Sequence, residues 1–294
     1  MKTGTVTIIG RPNVGKSTLL NALLGEKIAI VSDKPQTTRS RILGVVHRPG
    51  AQIVLLDTPG IHSPRHELNK RMVRTAVEAS EEADLLYVMV EATGPAQAGD
   101  RAVLRHVREV TAASPRPAFL LINKVDLVNK ARVLPLIADY SRLLDWTEIV
   151  PLSAKAGDNL DRLLELTVTF LPDGEAPFGE DTLTDQSMRV LAAELIREKL
   201  FQRTQQEIPY SLAVEIDDFK EEGKLARIAA TIFVEKDSQK GIVVGKSGAL
   251  LKAVGTEARQ DMERLFEMKV FLQLWVKVRA GWREDERALE ELGY

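Results

Sequence analysis

Residues 5–18 read TVTIIGRPNVGKST, and this stretch decides the fold. An apolar, β-branched run over 5–9 predicts a buried strand, and residues 10–17 match the pattern G-x-x-x-x-G-K-[ST] between a strand and a helix. Its glycines let backbone N–H groups surround phosphates at the helix N-terminus. Lys16 is expected to reach the β- and γ-phosphates, and the Ser17 hydroxyl to ligate Mg²⁺. The predicted nucleotide contacts of this loop are Gly10, Arg11, Pro12, Asn13, Val14, Gly15, Lys16, Ser17 and Thr18.

Strands and helices alternate over residues 1–170. Further strands are predicted over 42–46, 53–57, 85–90, 119–122 and 149–152. Helices are predicted over 19–24, 69–83, 101–110, 131–144 and 160–170. This alternation implies crossover connections, and therefore an α/β domain whose mostly parallel sheet is flanked by helices. Only a tight turn at Pro49-Gly50 fits between the second and third strands, so this pair is predicted to be antiparallel and the sheet to be mixed.

Three more motifs each follow a predicted strand: Asp57-Thr-Pro-Gly60, Asn123-Lys124-Val-Asp126 and Ser153-Ala154-Lys155. Their positions place them at the carboxyl edge of the sheet, where open α/β folds bind ligands. The Asp57 carboxylate is expected to hold Mg²⁺ through water, and the Gly60 N–H to sense a γ-phosphate.

The second and third of these motifs predict the choice of base. The Asp126 carboxylate can accept both the N1–H and the N2–H₂ donors of guanine, whereas adenine lacks the second donor. Asn123 and Lys124 would support the loop and cover the base, and the Ala154 N–H would donate to the guanine carbonyl. A wrong base would leave a polar group unpaired, so we expect strong preference for guanine.

These motifs resemble those of translation-factor-like GTPases, with the loop form G-x-P-N-V-G-K-S at residues 10–17. The resemblance implies that a Thr of the loop after the first helix ligates Mg²⁺, and spacing does not choose between Thr37 and Thr38. Of the two, Thr38 is slightly preferred. The expected metal ligands are Ser17, Thr37 or Thr38, and Asp57. The expected catalytic residues are Lys16, Thr38 and Gly60.

Hydrolysis is expected to be intrinsically slow. Ile61 stands where Ras-like enzymes carry a Gln that orients the attacking water, and an apolar side chain cannot do this. The resemblance implies that Asn13 could bind a K⁺ ion that compensates. Loop hydrogen bonding is the equally weighted alternative for this residue.

The composition sets broad limits on the class of protein. The 294 residues suggest two domains and contain no Cys, which excludes disulfides and thiol catalysis. Because a phosphate-binding motif already begins at Gly10, we expect no secretory signal, and no apolar run approaches the roughly 18 residues of a spanning helix. The formal net charge is −2. This total conceals a basic segment, because residues 236–279 contain nine Lys and Arg but only five Asp and Glu.

The second half of the chain follows a different pattern. Pro, Gly and acidic residues over 173–185 predict a linker. The order of elements that follows, α-β-β-α-α-β-α, matches an α+β type II KH domain with its G-x-x-G loop at Gly245–Gly248, which clamps a single-stranded nucleic-acid backbone. The residues expected to bind RNA are Lys240, Gly241, Gly245, Lys246, Ser247, Gly248 and Lys252.

The stretches DTPGIH at 57–62, QTTR at 36–39 and FVEKDSQKGIVVGKSG at 233–248, with the tail WREDERALEELGY, resemble the Era family of bacterial GTPases with a C-terminal KH domain. Ser247 departs from the second Gly that family members often carry, which puts fine RNA contacts there in doubt. The resemblance implies GTP/GDP and Mg²⁺ as cofactors, and a cytoplasmic monomer. It also implies binding near the 3′ end of 16S rRNA during small-subunit assembly, and it allows weak peripheral contact with the inner face of the cell membrane.

We therefore expect a GTPase domain over 1–172, a linker over 173–185 and a KH domain over 186–294. Together they predict an RNA-binding GTP switch. Two alternatives stay open at this point. One is a GTP-gated protein-interaction module whose second domain does not bind RNA. The other is an RNA chaperone whose nucleotide site only stabilises the fold.

Overall fold

The computed structural model describes residues 1–62, 64 and 66–294. The described residues form two compact units. The first unit contains residues 1–29, 38–62, 64 and 70–185. The second contains 30–37, 66–69 and 186–294, so two short segments from the first half of the chain cluster with the second half.

A six-stranded sheet forms the centre of the first unit, with strand order β2-β3-β1-β4-β5-β6. Its strands are β1 Lys2–Gly10, β2 Ile42–Arg48, β3 Ala51–Asp57, β4 Leu85–Glu91, β5 Ala118–Asn123 and β6 Glu148–Pro151. All neighbours pair in parallel except β2 and β3. The antiparallel hairpin turns at Gly50, whose φ of 71° suits a residue without a side chain. The predicted mixed sheet is confirmed.

Helices cover both faces of this sheet. They are α1 Lys16–Leu24, α2 Glu67–Glu82, α3 Ala98–Ala113, α4 Val133–Ser141 and α5 Leu160–Phe170. The central strands carry near-continuous apolar runs because both of their faces are buried. On one face, Val88 and Leu120 pack with Val103 and Val107 of α3 in the main core, and all four are at most 1% exposed.

Helix α4 is shorter than the predicted 131–144. A 3₁₀ turn over Lys130–Arg132 precedes it, and the helix ends at Ser141. The Tyr140 carbonyl accepts from the Leu143 N–H at 3.0 Å and from the Trp146 indole at 3.0 Å, which closes the last turn. Apolar spacing continued past the true end because Leu144 still packs on the core from the following loop.

The segment predicted to be a linker, 173–185, lies along β2. The Val45 N–H donates to the Leu183 carbonyl at 2.8 Å, and the Thr184 hydroxyl donates to the Leu43 carbonyl at 2.6 Å. Strand β2 is at the edge of the sheet, so this segment occupies backbone groups that an exposed edge would offer to another chain.

The second unit contains a three-stranded sheet of order β7-β8-β9 together with helices. Its elements are α6 Met188–Arg203, β7 Ala213–Glu222, β8 Leu225–Val234, α7 Asp237–Val244, α8 Ala249–Leu265, β9 Lys269–Val278 and α9 Glu286–Glu291. Strands β7 and β8 are antiparallel, and β8 and β9 are parallel. This is the predicted α+β order, and the predicted fold class is confirmed for both units.

Within the described part of the chain, we find no helix that combines the length and the apolar character needed to cross a membrane.

Core packing between β5 and the helices predicts a clear difference between two Leu→Ala substitutions. Leu120 is 0% exposed, whereas Leu134 on α4 is 73% exposed. Leu120→Ala should lower the free energy of unfolding by about 2–5 kcal/mol because it removes buried methyl groups and leaves a cavity. Leu134→Ala should change it by less than about 0.5 kcal/mol. Urea unfolding of both variants measures the difference, and equal effects would contradict the packing described.

Candidate nucleotide site and nucleic-acid interface

The loop after β1 is held in position by Asn123 at the end of β5. The Asn123 side-chain amide donates to the Val14 carbonyl at 2.8 Å. Gly15 caps α1 with a φ of 104°, and a Cβ there would lie 2.3 Å from Asn123 Nδ2. The loop therefore requires glycine at this position for both its backbone angle and its close approach to β5. Thr18 lies in the first turn of α1, which follows the loop.

A buried carboxylate lies below this loop. Asp57, at the end of β3, is 0% exposed. Its Oδ2 accepts from the Ser17 hydroxyl at 2.6 Å and from the Thr38 hydroxyl at 3.3 Å, and these two hydroxyls are 2.8 Å apart. Burial raises the pKa of the Asp57 carboxyl, while Lys16 and the two hydroxyl hydrogen bonds act against this shift. The three oxygens thus form one compact cluster, called here the Asp57 cluster.

The Asp57 cluster fits a hydrated Mg²⁺. Asp57 Oδ1 is buried and has no hydrogen-bond partner among the described residues, which is unfavourable unless another group satisfies it. Magnesium prefers a few hard oxygen ligands and keeps several waters. Two hydroxyls and an unsatisfied carboxylate oxygen provide such a donor set.

The structure distinguishes the two Thr residues that the sequence could not. The Thr38 hydroxyl points to Ser17 and Asp57. The Thr37 hydroxyl instead donates to the Lys34 carbonyl at 2.7 Å, within a segment that belongs to the second unit. Only Thr38 of this pair therefore contributes to the Asp57 cluster in the described structure.

Lys16 is the first residue of α1, directly after the loop, and its side chain is buried. It donates to the Arg11 carbonyl at 3.2 Å and to the Gly10 carbonyl at 3.4 Å. Burial lowers the pKa of Lys16 to about 8, although the nearby Asp57 carboxylate acts in the opposite direction. A phosphate next to this ammonium would compensate its desolvation.

Gly60 packs against the loop more closely than any other residue type could. A Cβ at Gly60 would lie 2.6 Å from the Pro12 nitrogen. The next residue, Ile61, is buried and donates its N–H to the Gly10 carbonyl at 3.1 Å. Its side chain is part of the main core, which agrees with its inability to orient a water molecule.

The four motif residues expected at the base lie on two adjacent loops. Asn123 Oδ1 accepts from the Ala154 N–H at 2.9 Å, so the N–H assigned to the guanine carbonyl is engaged by Asn123 in this structure. A base would have to share that N–H or use the next one, of Lys155. Asp126 lies exposed on a 3₁₀ turn after β5. The buried Ser153 holds the other loop by accepting from the Ala156 N–H at 3.0 Å.

Glu91, which no sequence motif singles out, connects three parts of the site. It ends β4, pairs with the Arg11 guanidinium at 2.5 Å and forms a second ion pair with Lys124. These cations lower the pKa of the Glu91 carboxyl against the opposing effect of burial. Lys124 also donates to the Asn13 carbonyl at 2.8 Å. Asp100 of α3 holds Arg11 from its other side at 3.1 Å.

The second unit carries the G-x-x-G loop between α7 and α8. Gly245 has φ 75° and ψ 174°, and a Cβ there would lie 2.9 Å from Leu250. Gly248 has φ 79°, and a Cβ there would meet only open space. Ser247 adopts φ 51° and ψ 31°, a left-handed backbone that favours glycine. Lys240, Gly241 and Lys246 lie on α7 and the loop, and all three are exposed.

A groove of about 400 Å³ opens beside this loop. It lies between α8 and β9 and is lined by Gly248, Leu251, Lys252, Gly255, Thr256, Arg259, Leu272 and Leu274. Gly248 and Lys252 were expected here, whereas the apolar floor of Leu272 and Leu274 was not. The strand pattern could have indicated that floor, because both residues share the inward face of β9.

Both the first and the second half of the chain match known protein families. A family model described as 50S ribosome-binding GTPase matches residues 5–124, and a KH domain model matches residues 207–283. The chain is 54% identical to the GTPase Era of Geobacter metallireducens, over 100% of this chain and 98% of that protein. It is 49% identical to the GTPase Era of Syntrophus aciditrophicus, over 100% and 95%.

Two solved structures are similar to this one along the whole chain. One is described as a point variant of Aquifex aeolicus Era bound to GDP·AlF4⁻, and the other as Era in complex with MgGDPNP and nucleotides 1506–1542 of 16S ribosomal RNA. Each has a TM-score of 0.95 and 42% identity, and covers 100% of this chain and 99% of its own. Since the identity with named relatives extends over the full length, the chain belongs to the GTPase Era family.

Proposed function

We propose that the protein is a GTP-hydrolysing switch that binds 16S rRNA near its 3′ end and assists assembly of the small ribosomal subunit. The observation that carries the nucleotide part is the Asp57 cluster, where an unsatisfied buried carboxylate oxygen lies beside two hydroxyls and the buried Lys16. The RNA part is supported by the groove beside the G-x-x-G loop and by the Era complex with MgGDPNP and 16S rRNA nucleotides.

The proposed residue roles follow from this geometry. Lys16 and the loop N–H groups hold the β- and γ-phosphates, and Ser17, Thr38 and Asp57 hold Mg²⁺. The bound metal would neutralise charge on the phosphate oxygens. Gly60 contacts the γ-phosphate through its N–H. Asp126 reads the guanine edge, while Lys124 covers the base and Asn123 fixes the loops.

Ile61 cannot orient the attacking water, so unaided hydrolysis is slow and depends on another group. For Asn13, K⁺ binding and loop hydrogen bonding both remain proposals. Measuring the GTP turnover rate in potassium and in sodium distinguishes the two roles, because only K⁺ binding by Asn13 requires the two rates to differ.

The proposed domains are the GTPase domain over 1–172, the linker over 173–185 and the KH domain over 186–294. The family-model matches over 5–124 and 207–283 support this assignment. In the KH domain, Lys240, Gly241, Gly245, Lys246, Ser247, Gly248 and Lys252 are proposed to contact RNA. We further propose a cytoplasmic monomer with at most weak contact with the inner face of the membrane.

Thr38 and Thr37 form a matched pair of test positions. Thr38→Ala should lower Mg²⁺-dependent kcat by about 100-fold, because it removes a metal ligand that stabilises the transferring phosphoryl group. Thr37→Ala should have little effect, since its hydroxyl bonds only the Lys34 carbonyl within the described contacts. Single-turnover hydrolysis at saturating GTP measures both. A larger loss in Thr37→Ala would contradict the assignment of Thr38.

Asp126→Asn tests base recognition. The Asn side chain places an N–H₂ donor opposite a donor group of guanine, where Asp126 would accept a hydrogen bond. GTP binding should therefore weaken by about 100-fold. The variant should also lose the ability of the wild type to prefer GTP over ITP, which lacks the 2-amino group. Nucleotide titration checks both, with Asp145→Asn as the control because Asp145 is exposed in the loop that leads into β6. Unchanged preference for GTP would refute this role.

Gly248→Asp tests the KH groove. Its left-handed backbone accommodates Asp at modest cost, and the space around it is open, so the fold should persist. The added carboxylate would repel a phosphate backbone, so RNA crosslinking at the groove should be lost while GTP affinity stays at the wild-type value. Wild-type RNA affinity should also fall steeply with salt. Intact crosslinking at the groove in this variant would favour a protein-interaction role for the second unit.

A further inference from the structure

The sheet of the second unit has one face that no helix of that unit covers, within the residues described. Alternation along β9 directs Val270 and Val276 inward, where they are at most 8% exposed, and places the odd-numbered residues of the strand on the opposite face. That opposite face, called here the outer face, is formed by Arg227, Thr231 and Phe233 of β8 and by Phe271, Gln273, Trp275 and Lys277 of β9, which the register places side by side.

Two large aromatic side chains are exposed on the outer face. Phe271 and Trp275 each expose 46% of their surface. They are four residues apart on one strand, so their rings are about 13 Å apart along it. The Arg227 guanidinium lies 5.5 Å from the centre of the Phe271 ring, as in a cation–π contact. The outer face therefore presents flat π-surfaces next to cations.

Charge is separated across this sheet. Strand β8 reads LARIAATIFV and β9 reads KVFLQLWVKV, so neither contains an acidic residue. Strand β7, at the far edge, reads AVEIDDFKEE. Arg227 is paired with Glu222 of β7 at 2.8 Å, and the Lys269 ammonium lies 4.0 Å from Glu263. The positive charge of the β8–β9 half of the outer face therefore comes mainly from Lys277, with a smaller contribution from Lys269. A polyanion would be attracted to this half and repelled from β7.

We propose that the β8–β9 half of the outer face is a second RNA-binding surface, on which a single-stranded segment stacks bases on Phe271 and Trp275. This inference rests on the proposed RNA-binding function but concerns a surface distinct from the groove beside Gly248. A sheet whose exposed aromatics stack two or three bases is an established solution to RNA recognition. Cations beside the rings hold the backbone, and Gln273 between them can hydrogen-bond base edges.

The composition of the outer face favours RNA over a protein partner. The centres of protein–protein interfaces are depleted in Lys, whereas single-strand platforms combine positive charge with aromatic rings. Lys277 is on the outer face next to Trp275, two residues along β9. Base stacking depends little on the RNA sequence. The outer face would therefore add affinity and position the RNA, while the groove would select its sequence.

The test uses full-length protein and short oligouridylates that carry fluorescein or 4-thiouridine. In the Gly248→Asp background, which disables the groove, photocrosslinks should map to β9. In the wild-type background, Phe271→Ala and Trp275→Ala should each weaken binding by about 5- to 100-fold. Trp275→Phe should retain binding, whereas Trp275→Leu, which keeps apolar area without an aromatic face, should not. Val278→Ala is the control, because Val278 is an exposed apolar residue of β9 in the opposite register.

Lys277→Gln should weaken binding and reduce the slope of log K against log salt by about 0.7, the value for one contact with a single strand. Unchanged thermal melting of each variant verifies folding. The second surface would be refuted if both Ala variants bound RNA within twofold of wild type and no crosslink mapped to β9. In that case, loss of groove crosslinks in Gly248→Asp would still support the proposed function. If Trp275→Ala binds RNA normally but no longer sediments with small ribosomal subunits, the outer face binds protein and the proposal is wrong.

Discussion

The Asp57 carboxylate is the constraint on which the nucleotide site depends. It is fully buried at the end of a strand, and burial of an ionised carboxylate is costly unless charge and hydrogen bonds compensate it. Within the described residues, Ser17, Thr38 and Lys16 supply part of that compensation, and one carboxylate oxygen is left unsatisfied. Binding of Mg²⁺ and phosphate would stabilise a site of this kind, because both would compensate charges that the fold already buries.

The same cluster explains how the nucleotide can act at a distance. Thr38 belongs to the first unit, and the residues immediately before it, 30–37, cluster with the second. In that segment the Val31 N–H donates to Glu198 of α6 at 3.0 Å, and the Lys34 ammonium bonds the Phe201 and Thr204 carbonyls at the end of the helix. A cation at a helix C-terminus is favourable. We therefore expect a change in how Thr38 is held to be transmitted along the chain to α6.

Local patterns predicted most of the fold. The loop at 10–17, the strand–helix alternation and the hairpin at Gly50 each depend on neighbouring residues, and the structure has all three. The sequence favoured Thr38 over Thr37 only slightly, because both are polar and adjacent and only tertiary contacts separate them. Glu91 was missed for a related reason. Its partners Arg11 and Lys124 are 80 and 33 residues away, and a lone acid at the end of a strand carries no motif.

We expect the nucleotide state of the first unit and the RNA affinity of the protein to be linked. The most direct test is the Kd of an oligonucleotide from the 3′ end of 16S rRNA, measured with Mg²⁺ and either a non-hydrolysable GTP analogue or GDP. We expect tighter binding with the analogue, and linkage requires RNA to strengthen analogue binding over GDP by the same factor. Equal RNA affinity in the two nucleotide states would contradict it.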